Sequence, residues 1–279
     1  MRTLTIEQAT ALVPAIGAKE PTGKASTKYQ FVSTKEILEQ VQEKGWLITN
    51  ASAQGQNVHA QHRVTLVHQN ELENLDVHNQ DGIMRIELLN SHNRTKRLTF
   101  AIGYFRFVCS NGLIISSGPA ETVRTKHSIV NGNSQYLRES LLERISELTE
   151  KFPNIKQKIN NLKSRELSEQ EQINYAAYAI RGRYSYRPQL PKKFSNLEES
   201  TLKVLNVRRT EDAGDSAWAV FNRVQENIIT GVHNFSLPVK SYTDNIRVNS
   251  LLWKGVDASL EFANESLKNT LQGFLTKNR

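Results

Sequence analysis

The stretch GYFRFVCSNGLIIS, residues 103–116, is the most apolar run in the chain and contains its only cysteine. Its residues alternate, so Phe105, Phe107 and Cys109 share one face of an extended strand. The pair Asn111-Gly112 follows, and Asn-Gly is the strongest sequence signal for a type I′ hairpin turn. The stretch therefore predicts a strand, a tight turn and a returning strand in an antiparallel sheet.

Cys109 is predicted to be a core residue and not a nucleophile. It lies in phase with two phenylalanines, where a small apolar side chain fits, and free cysteine behaves as one in protein cores. A catalytic thiol needs a lowered pKa from a nearby cation or a helix N-terminus, and no helix signal follows Cys109. On the opposite face of the same strand, Arg106 is predicted to meet a ligand or solvent.

The segments before this hairpin predict one helix and further strands. The segment from Ser33 to Gly45 has a capping residue, an apolar stripe and a glycine stop, which is typical of a short amphipathic helix. Residues 62–69 and 82–92 alternate between apolar and polar side chains and predict strands. Short polar turns separate the strands and leave no room for helical crossovers, which favours an antiparallel β-meander.

After about residue 134 the apolar spacing becomes helical. Helices are predicted within residues 136–152, 168–183, 214–231 and 245–277. Ser168 and Glu171 form a capping-box pattern, and Asp215 is the predicted cap of the next helix. The polar row of that helix is predicted to be structural or a subunit contact; it contains Asn222, Arg223, Gln225, Glu226 and Asn227.

These patterns predict an α+β protein, with an N-terminal helix, an antiparallel β-meander and a mostly helical C-terminal half. Residues 1–30 are rich in Pro and Gly and are interpreted as a flexible N-terminal arm. Residues 31–134 are the sheet region with one helix. Residues 135–279 are the helical region, which is predicted to pack on the sheet as one unit.

Composition points to a polyanionic partner. The chain has 279 residues, with 36 Lys and Arg against 28 Asp and Glu, and a net charge of +8. A positive balance attracts nucleic acid. One cysteine excludes an internal disulfide and a Cys-rich zinc site. The sequence shows no signal peptide and no long apolar run, so we expect a cytoplasmic protein without a membrane segment.

The familiar enzyme motifs are missing from the sequence. It contains no phosphate-binding glycine loop, no G-x-S-x-G and no zincin pattern. The H-x-x-H formed by His59 and His62 falls in a strand-like context, where its two side chains face opposite sides. The sequence therefore predicts no catalytic residue, no metal ligand and no cofactor.

Basic residues interleaved with aromatic ones predict a nucleic-acid contact. Single strands are bound by cations that neutralise phosphates and by rings that stack on bases. The segment from residue 181 to 194 has this composition and contains no acid, and residues 94–97 place three cations on a turn between strands. The candidate contact residues are Arg181, Arg183, Tyr184, Tyr186, Arg187, Lys192, Lys193, Arg94, Lys96, Arg97 and Arg106.

Several short motifs, taken in order, resemble one protein family. They are NSH (90–92), GYFRFVCSNGL (103–113), the following Lys126-His127, FNRVQENIITG (221–231) and NSLLW (249–253). The chain resembles the phage- and plasmid-borne family catalogued as a domain of unknown function, DUF932, which implies a mobile-element protein and no established catalytic residues. The order of elements is also loosely similar to that of Rad52-like single-strand annealing proteins.

The leading hypothesis is a non-enzymatic, oligomeric protein that binds single-stranded DNA and anneals strands in phage or plasmid recombination. One alternative is a counter-defence protein that binds and inhibits a host immune protein. Another is a metal-dependent nuclease or nucleotide-processing enzyme that uses His92, His127 or Cys109. The sequence does not decide among these alternatives.

Overall fold

The computed structural model describes most of the chain, namely residues 2–23, 31–75, 82–107, 113–115, 122–125, 142–143, 145–185, 189–194, 196–231 and 238–261. Cys109 and the predicted Asn111-Gly112 turn lie outside these residues, so the predictions for them stay predictions. The chain divides into two compact units. The sheet unit is Met1–Ile114 with Gly118–Phe152, and the helical unit is Ile115–Ser117 with Pro153–Arg279.

The sheet unit contains the predicted meander. Its described helices are α1 (Ile6–Leu12), α2 (Thr34–Glu43) and α3 (Gln69–Glu73). The strands are β1 (Trp46–Ala53), β2 (His62–His68), β3 (Gly82–Asn90), β4 (Leu98–Arg106), β5 (Leu113–Ile115) and β6 (Thr122–Thr125). The sheet has the order β1-β2-β3-β4-β5, with β6 pairing with β4, and β1 to β4 form consecutive antiparallel pairs.

The register of the sheet produces a continuous apolar face. Ile86 of β3 lies opposite Leu66 on one side and Ile102 on the other, and all three side chains are buried. A fully buried side chain of this size stabilises the fold by about 1.5–3 kcal/mol. The first residues of β1 extend this face through Trp46 and Ile48, but its later residues are polar or small. That loss of alternation explains why the sequence pattern did not reveal β1.

The opposite face of the sheet is polar and buried as well. All nine residues of β3 are buried, including Arg85 and Glu87, whose side chains form an ion pair of 2.7 Å. The hydroxyl of Thr65 donates a hydrogen bond of 2.9 Å to Glu87. The predicted alternation along β3 is therefore correct in phase, although neither face of this strand is open to solvent.

The interpretation of residues 1–30 as a flexible arm is wrong for its first half. Thr5 and Gln8 form a capping box that begins α1, and a 3-10 turn follows at Pro14–Gly17. The backbone amide of Leu4 donates to the carbonyl of Ile48, and Ile16 is fully buried. Buried apolar contacts order this segment, even though its Pro and Gly content is typical of a loop.

The helices after the sheet are α4 (Phe152–Ser164), α5 (Glu169–Arg183), α6 (Leu197–Leu205), α7 (Ala217–Thr230) and α8 (Tyr242–Glu261). The capping box of Ser168 and Glu171 is present at the start of α5. Ser216, and not the predicted Asp215, caps α7, because its hydroxyl accepts the amide of Ala219. α7 ends at Gly231, whose φ of 79° suits glycine.

The structure confirms the α+β class, with an N-terminal helix, an antiparallel sheet and a mostly helical C-terminal half. The predicted boundary after residue 134 differs from the division of the chain, which falls after Phe152. The prediction that the helical region packs on the sheet as one unit stays a prediction.

Candidate nucleic-acid interface

The three predicted cations between β3 and β4 lie on a tightly hydrogen-bonded turn, which we call the basic turn (residues 91–97). Its first residue closes it, because Ser91 Oγ accepts the amide of Lys96 at 3.0 Å and donates to the carbonyl of Lys96 at 3.2 Å. Within the turn, Asn93 Oδ1 accepts both the amide and the hydroxyl of Thr95. The backbone that carries the cations is therefore fixed by side chains of the turn itself.

The basic turn presents its cations to solvent. Arg94 and Arg97 are exposed, and Lys96 is half-buried. Arg94 adopts a φ of 64°, a left-handed conformation that is uncommon for a residue other than glycine. The turn therefore carries two freely accessible guanidinium groups within four residues, a spacing suited to contacts along a phosphate backbone.

The second basic feature is the C-terminal end of α5 and the chain that follows it. Arg181 and Arg183 lie half-buried in the last turn of α5, where cations favourably oppose the negative end of the helix dipole. Arg247 of α8 donates hydrogen bonds to the carbonyls of Gly182 and Arg183 and so caps the same helix end. The 3-10 turn Lys192–Phe194 contains Lys193 and presents Lys192 as an exposed side chain.

Two of the predicted contact residues are buried, contrary to the prediction. The ring of Tyr184 is 9% exposed and packs against the ring of Phe194 with centroids 4.9 Å apart. It is therefore a core residue of the helical unit and does not offer a face to a base. Arg106, at the end of β4, is 5% exposed, so the prediction that it meets a ligand or solvent is wrong.

The other predicted contact residues divide between the two units. Arg94, Lys96 and Arg97 belong to the sheet unit, whereas Arg181, Arg183, Lys192 and Lys193 belong to the helical unit. Tyr186 and Arg187 lie outside the described residues.

Some cations at both features differ in their partners from other surface cations. Lys35 pairs with Glu39, Lys203 with Glu199, and Arg247 with Asp244. Five cations of the two basic features have no such pair: within the part of the chain that the structure describes, no carboxylate lies within 4.0 Å of them. They are Arg94, Lys96, Arg97, Arg181 and Lys192. Such cations are available to an anionic ligand without first losing an ion pair.

A buried polar network that the sequence did not predict lies directly below the basic turn. Asn90 Nδ2 donates to the hydroxyl of Thr34 at 3.0 Å, and its Oδ1 accepts the amide of Ser91 at 2.8 Å. The hydroxyl of Thr34 is in turn 2.8 Å from His62 Nε2 and 3.5 Å from His92 Nε2. We call Thr34, His62, Asn90 and His92 the histidine network; all four side chains are fully buried.

The hydrogen bonds of the histidine network define the tautomer of His62. Its Nδ1 lies 2.9 Å from the carbonyl of Ala60, which only accepts, so Nδ1 carries the proton. Nε2 then accepts the Thr34 hydroxyl. Burial lowers the pKa of His62 below its ordinary value of 6.5, against the opposite effect of the Ala60 hydrogen bond. The network is therefore built around a neutral imidazole.

The polar row of α7 also lies inside the protein, since Asn222, Arg223, Gln225, Glu226 and Asn227 are each less than a tenth exposed. Gln225 donates to Asn249 of α8, and Asn227 donates to two carbonyls at the end of α6. Arg209 forms two hydrogen bonds with the Glu226 carboxylate. These side chains join α7 to its neighbours within the helical unit, which supports the structural role that the sequence left open.

The described residues contain no group of three or more His, Cys, Asp and Glu side chains placed to hold a metal ion. Cys109 and His127 lie outside these residues, and His92 belongs to the buried network. None of the described helices is both long and apolar enough to span a membrane.

Comparisons with known proteins agree with the family resemblance of the sequence. The chain is 25% identical over 275 residues to the UPF0380 protein YafZ of Escherichia coli (strain K12), covering 93% of this chain and 92% of that protein. It is 24% identical over 268 residues to the UPF0380 protein YfjQ of the same strain, covering 90% of each. No solved structure matches it, and the likeness to Rad52-like proteins stays a prediction. The family model described as "Domain of unknown function (DUF932)" matches residues 21–253, and the chain therefore belongs to that family.

Proposed function

We propose that this protein binds single-stranded nucleic acid, primarily DNA, and does not itself catalyse a reaction. The observation that carries this proposal is the set of solvent-facing cations that have no carboxylate partner among the described residues. Three of them lie on the basic turn, whose hydrogen bonds hold its backbone in place. A preordered cationic turn loses little conformational entropy when it binds a phosphate backbone.

The proposal assigns phosphate contacts to both basic features and base stacking to Tyr186. Phosphate contacts by Lys and Arg release counterions, so affinity falls steeply with salt. Stacking on an aromatic ring adds about 1–3 kcal/mol per base and favours single strands over a duplex. With Tyr184 in the core of the helical unit, the stacking role of this segment depends on Tyr186.

Three finer statements belong to the same proposal. We expect the protein to act in the cytoplasm of a host cell as part of a mobile genetic element. We expect it to assemble from several copies and to anneal complementary strands. The net charge of +8 supports the polyanion partner but does not by itself select single strands over a duplex.

The test is fluorescence anisotropy of a labelled single-stranded oligonucleotide across a salt series, with a duplex of the same sequence for comparison. The double variant Arg94→Glu with Arg97→Glu removes two phosphate contacts and adds repulsion. We expect its affinity to fall by at least tenfold, and its log–log salt slope to decrease by about 1.4, since each single-strand contact contributes about 0.7.

The matched control is Lys35→Glu with Lys203→Glu. Each of these two lysines pairs with a carboxylate, so the control changes the net charge equally without altering the cations of the basic turn. We expect it to alter affinity less than threefold. An unchanged salt slope in the Arg94 and Arg97 variant would exclude the basic turn, and a wild-type protein that binds no oligonucleotide at low salt would exclude the proposed function.

A further inference from the structure

The histidine network connects a titratable buried group to the residue that closes the basic turn. His62 bonds to Thr34, Thr34 to Asn90, and Asn90 to the backbone of Ser91, whose hydroxyl then holds both ends of the Lys96 backbone. Each bond in this series is between 2.8 and 3.2 Å. Ser91, the residue that closes the basic turn, is therefore held in place by a series of hydrogen bonds that begins at a neutral imidazole.

His92, the second residue of the basic turn, is held by its backbone and contacts the rest of the network through its ring. Its amide donates to the carbonyl of His59, and its carbonyl accepts the amide of Thr22. Its ring packs between Phe31, at a centroid distance of 4.8 Å, and His62, at 5.2 Å. A displacement of the His62 ring would thus disturb both neighbours of Ser91 in the chain, Asn90 and His92.

Protonation of the neutral His62 ring is unfavourable in this environment. The ring is faced by Thr34 from α2, by Asn90 from β3, by the Ala60 carbonyl and by His92, and none of these groups is an anion. On the side of β1, its partner in the register is Ala53. Protonated Nε2 would no longer accept the Thr34 hydroxyl, and the new charge would be buried beside a second imidazole, which is costly without a counter-ion.

We propose that the histidine network couples the order of the basic turn to the protonation of His62, so that the protein binds nucleic acid strands less tightly as the pH falls below neutral. The binding consequence rests on the proposed function, whereas the ordering of the turn does not. The ligand involved is the phosphate backbone that the basic turn contacts.

The expected direction is the opposite of simple electrostatics. Lys and Arg stay charged between about pH 8 and pH 5, and protonation of the seven histidines makes the protein more positive. Without the network, acid would therefore leave the affinity unchanged or raise it. A loss of affinity in acid would show that the cations have lost their arrangement and not their charge.

The first experiment measures oligonucleotide anisotropy at constant ionic strength from about pH 7.5 to about pH 5.5, the range in which histidine titrates. We expect wild-type affinity to fall by about tenfold, because protonated His62 favours the open over the ordered turn. The variant His62→Gln keeps an acceptor for Thr34 that does not titrate, and should lose this dependence. His59→Gln, a half-exposed histidine of the adjacent turn, is the matched control and should retain it.

The second experiment requires no nucleic acid. Amide hydrogen exchange of peptides covering residues 91–97, corrected for the intrinsic rate, reports the order of the basic turn directly. We expect protection to decrease about tenfold over the same pH range in the wild type. Thr34→Val, which keeps the shape and removes the hydroxyl that joins His62 to Asn90, should abolish the pH dependence.

The outcomes separate the two proposals. Protection that is unchanged between neutral and acid pH in the wild type would overturn the coupling, whatever the binding data show. A pH-dependent turn in a protein that binds no oligonucleotide would uphold the coupling and refute the proposed function. Binding that is unchanged or stronger in acid, together with unchanged protection of the turn, would refute the coupling while leaving the proposed function intact.

Discussion

At the scale of single residues, Arg94 combines an exposed charge with an unfavourable backbone conformation. Its φ of 64° costs an L-residue about 1 kcal/mol relative to glycine. The turn retains this conformation because Ser91 and Asn93 satisfy the surrounding backbone groups. Strain kept at an exposed cation is consistent with a functional role for the side chain.

Substitution of Arg94 by glycine removes the charge and relieves the backbone strain, so it tests the two separately. We expect Arg94→Gly to raise the free energy of unfolding by about 0.5–1 kcal/mol, because glycine adopts the left-handed conformation without strain. The same variant should weaken oligonucleotide binding. Urea denaturation and anisotropy measure the two effects, and a destabilised variant that binds normally would contradict both expectations.

At the scale of single elements, strand β3 contains an ion pair on a face that is closed to solvent. Glu87 is 0% exposed and contacts Arg85, Thr65 and, at 3.7 Å, Arg63. Removal of one partner of a buried ion pair leaves the other charge without its counter-ion, which costs more than the pair contributes.

We expect Glu87→Ala to lower the free energy of unfolding by about 3–5 kcal/mol. Glu39→Ala, which removes the exposed partner of Lys35, should cost less than about 1 kcal/mol. Urea denaturation of both variants provides the comparison. Equal effects would mean that the charge of Glu87 is not needed in the interior of the sheet unit.

The contact between α5 and α8 depends on small residues. A Cβ atom on Gly255 would lie 2.3 Å from the ring of Tyr178, whose hydroxyl donates to the carbonyl of Leu251. A shift of the ring away from position 255 would disturb this hydrogen bond. The two helices therefore approach closely because position 255 has no side chain.

We expect Gly255→Ala to lower the melting temperature, since overpacking costs about 1–3 kcal/mol and the gain in helix propensity is at most about 1 kcal/mol. Gly214→Ala is the control, because a Cβ atom there would have no neighbour within 4 Å. Calorimetry measures both, and a more stable Gly255 variant would show that the helices adjust freely.

At the scale of the whole molecule, the pH dependence of stability follows from the buried histidine. Burial lowers the pKa of His62 below 6.5 in the folded chain, so the unfolded chain binds a proton more readily. Its contribution to stability is present in full above pH 6.5 and is lost as the pH falls towards the folded-state value.

We therefore expect the free energy of unfolding to decrease below about pH 6.5, and less so in His62→Gln. Urea denaturation at a series of pH values measures this dependence. A wild-type stability that is constant from neutral pH down to about pH 5 would contradict it, because acidic side chains titrate mainly below that range.

Much of the architecture follows from local patterns. Alternation in residues 62–69 and 82–92 indicated β2 and β3, and Ser168 with Glu171 indicated the start of α5. The exposed cations of the basic turn were likewise evident from three basic residues between two strands. β1 and the ordered N-terminal segment were missed because their polar or Pro- and Gly-containing sequences are stabilised by contacts with distant residues.

The sequence by itself determined the α+β class, the phase of β2 and β3 and the excess of positive charge, since these depend on periodicity and composition. Only the tertiary structure decided that Tyr184, Arg106 and the polar row of α7 are buried, because periodicity defines a face and not what covers it. The histidine network likewise required the fold. Thr34 lies 28 residues from His62 and 56 from Asn90, and only strand register and helix packing bring these side chains into hydrogen-bonding distance.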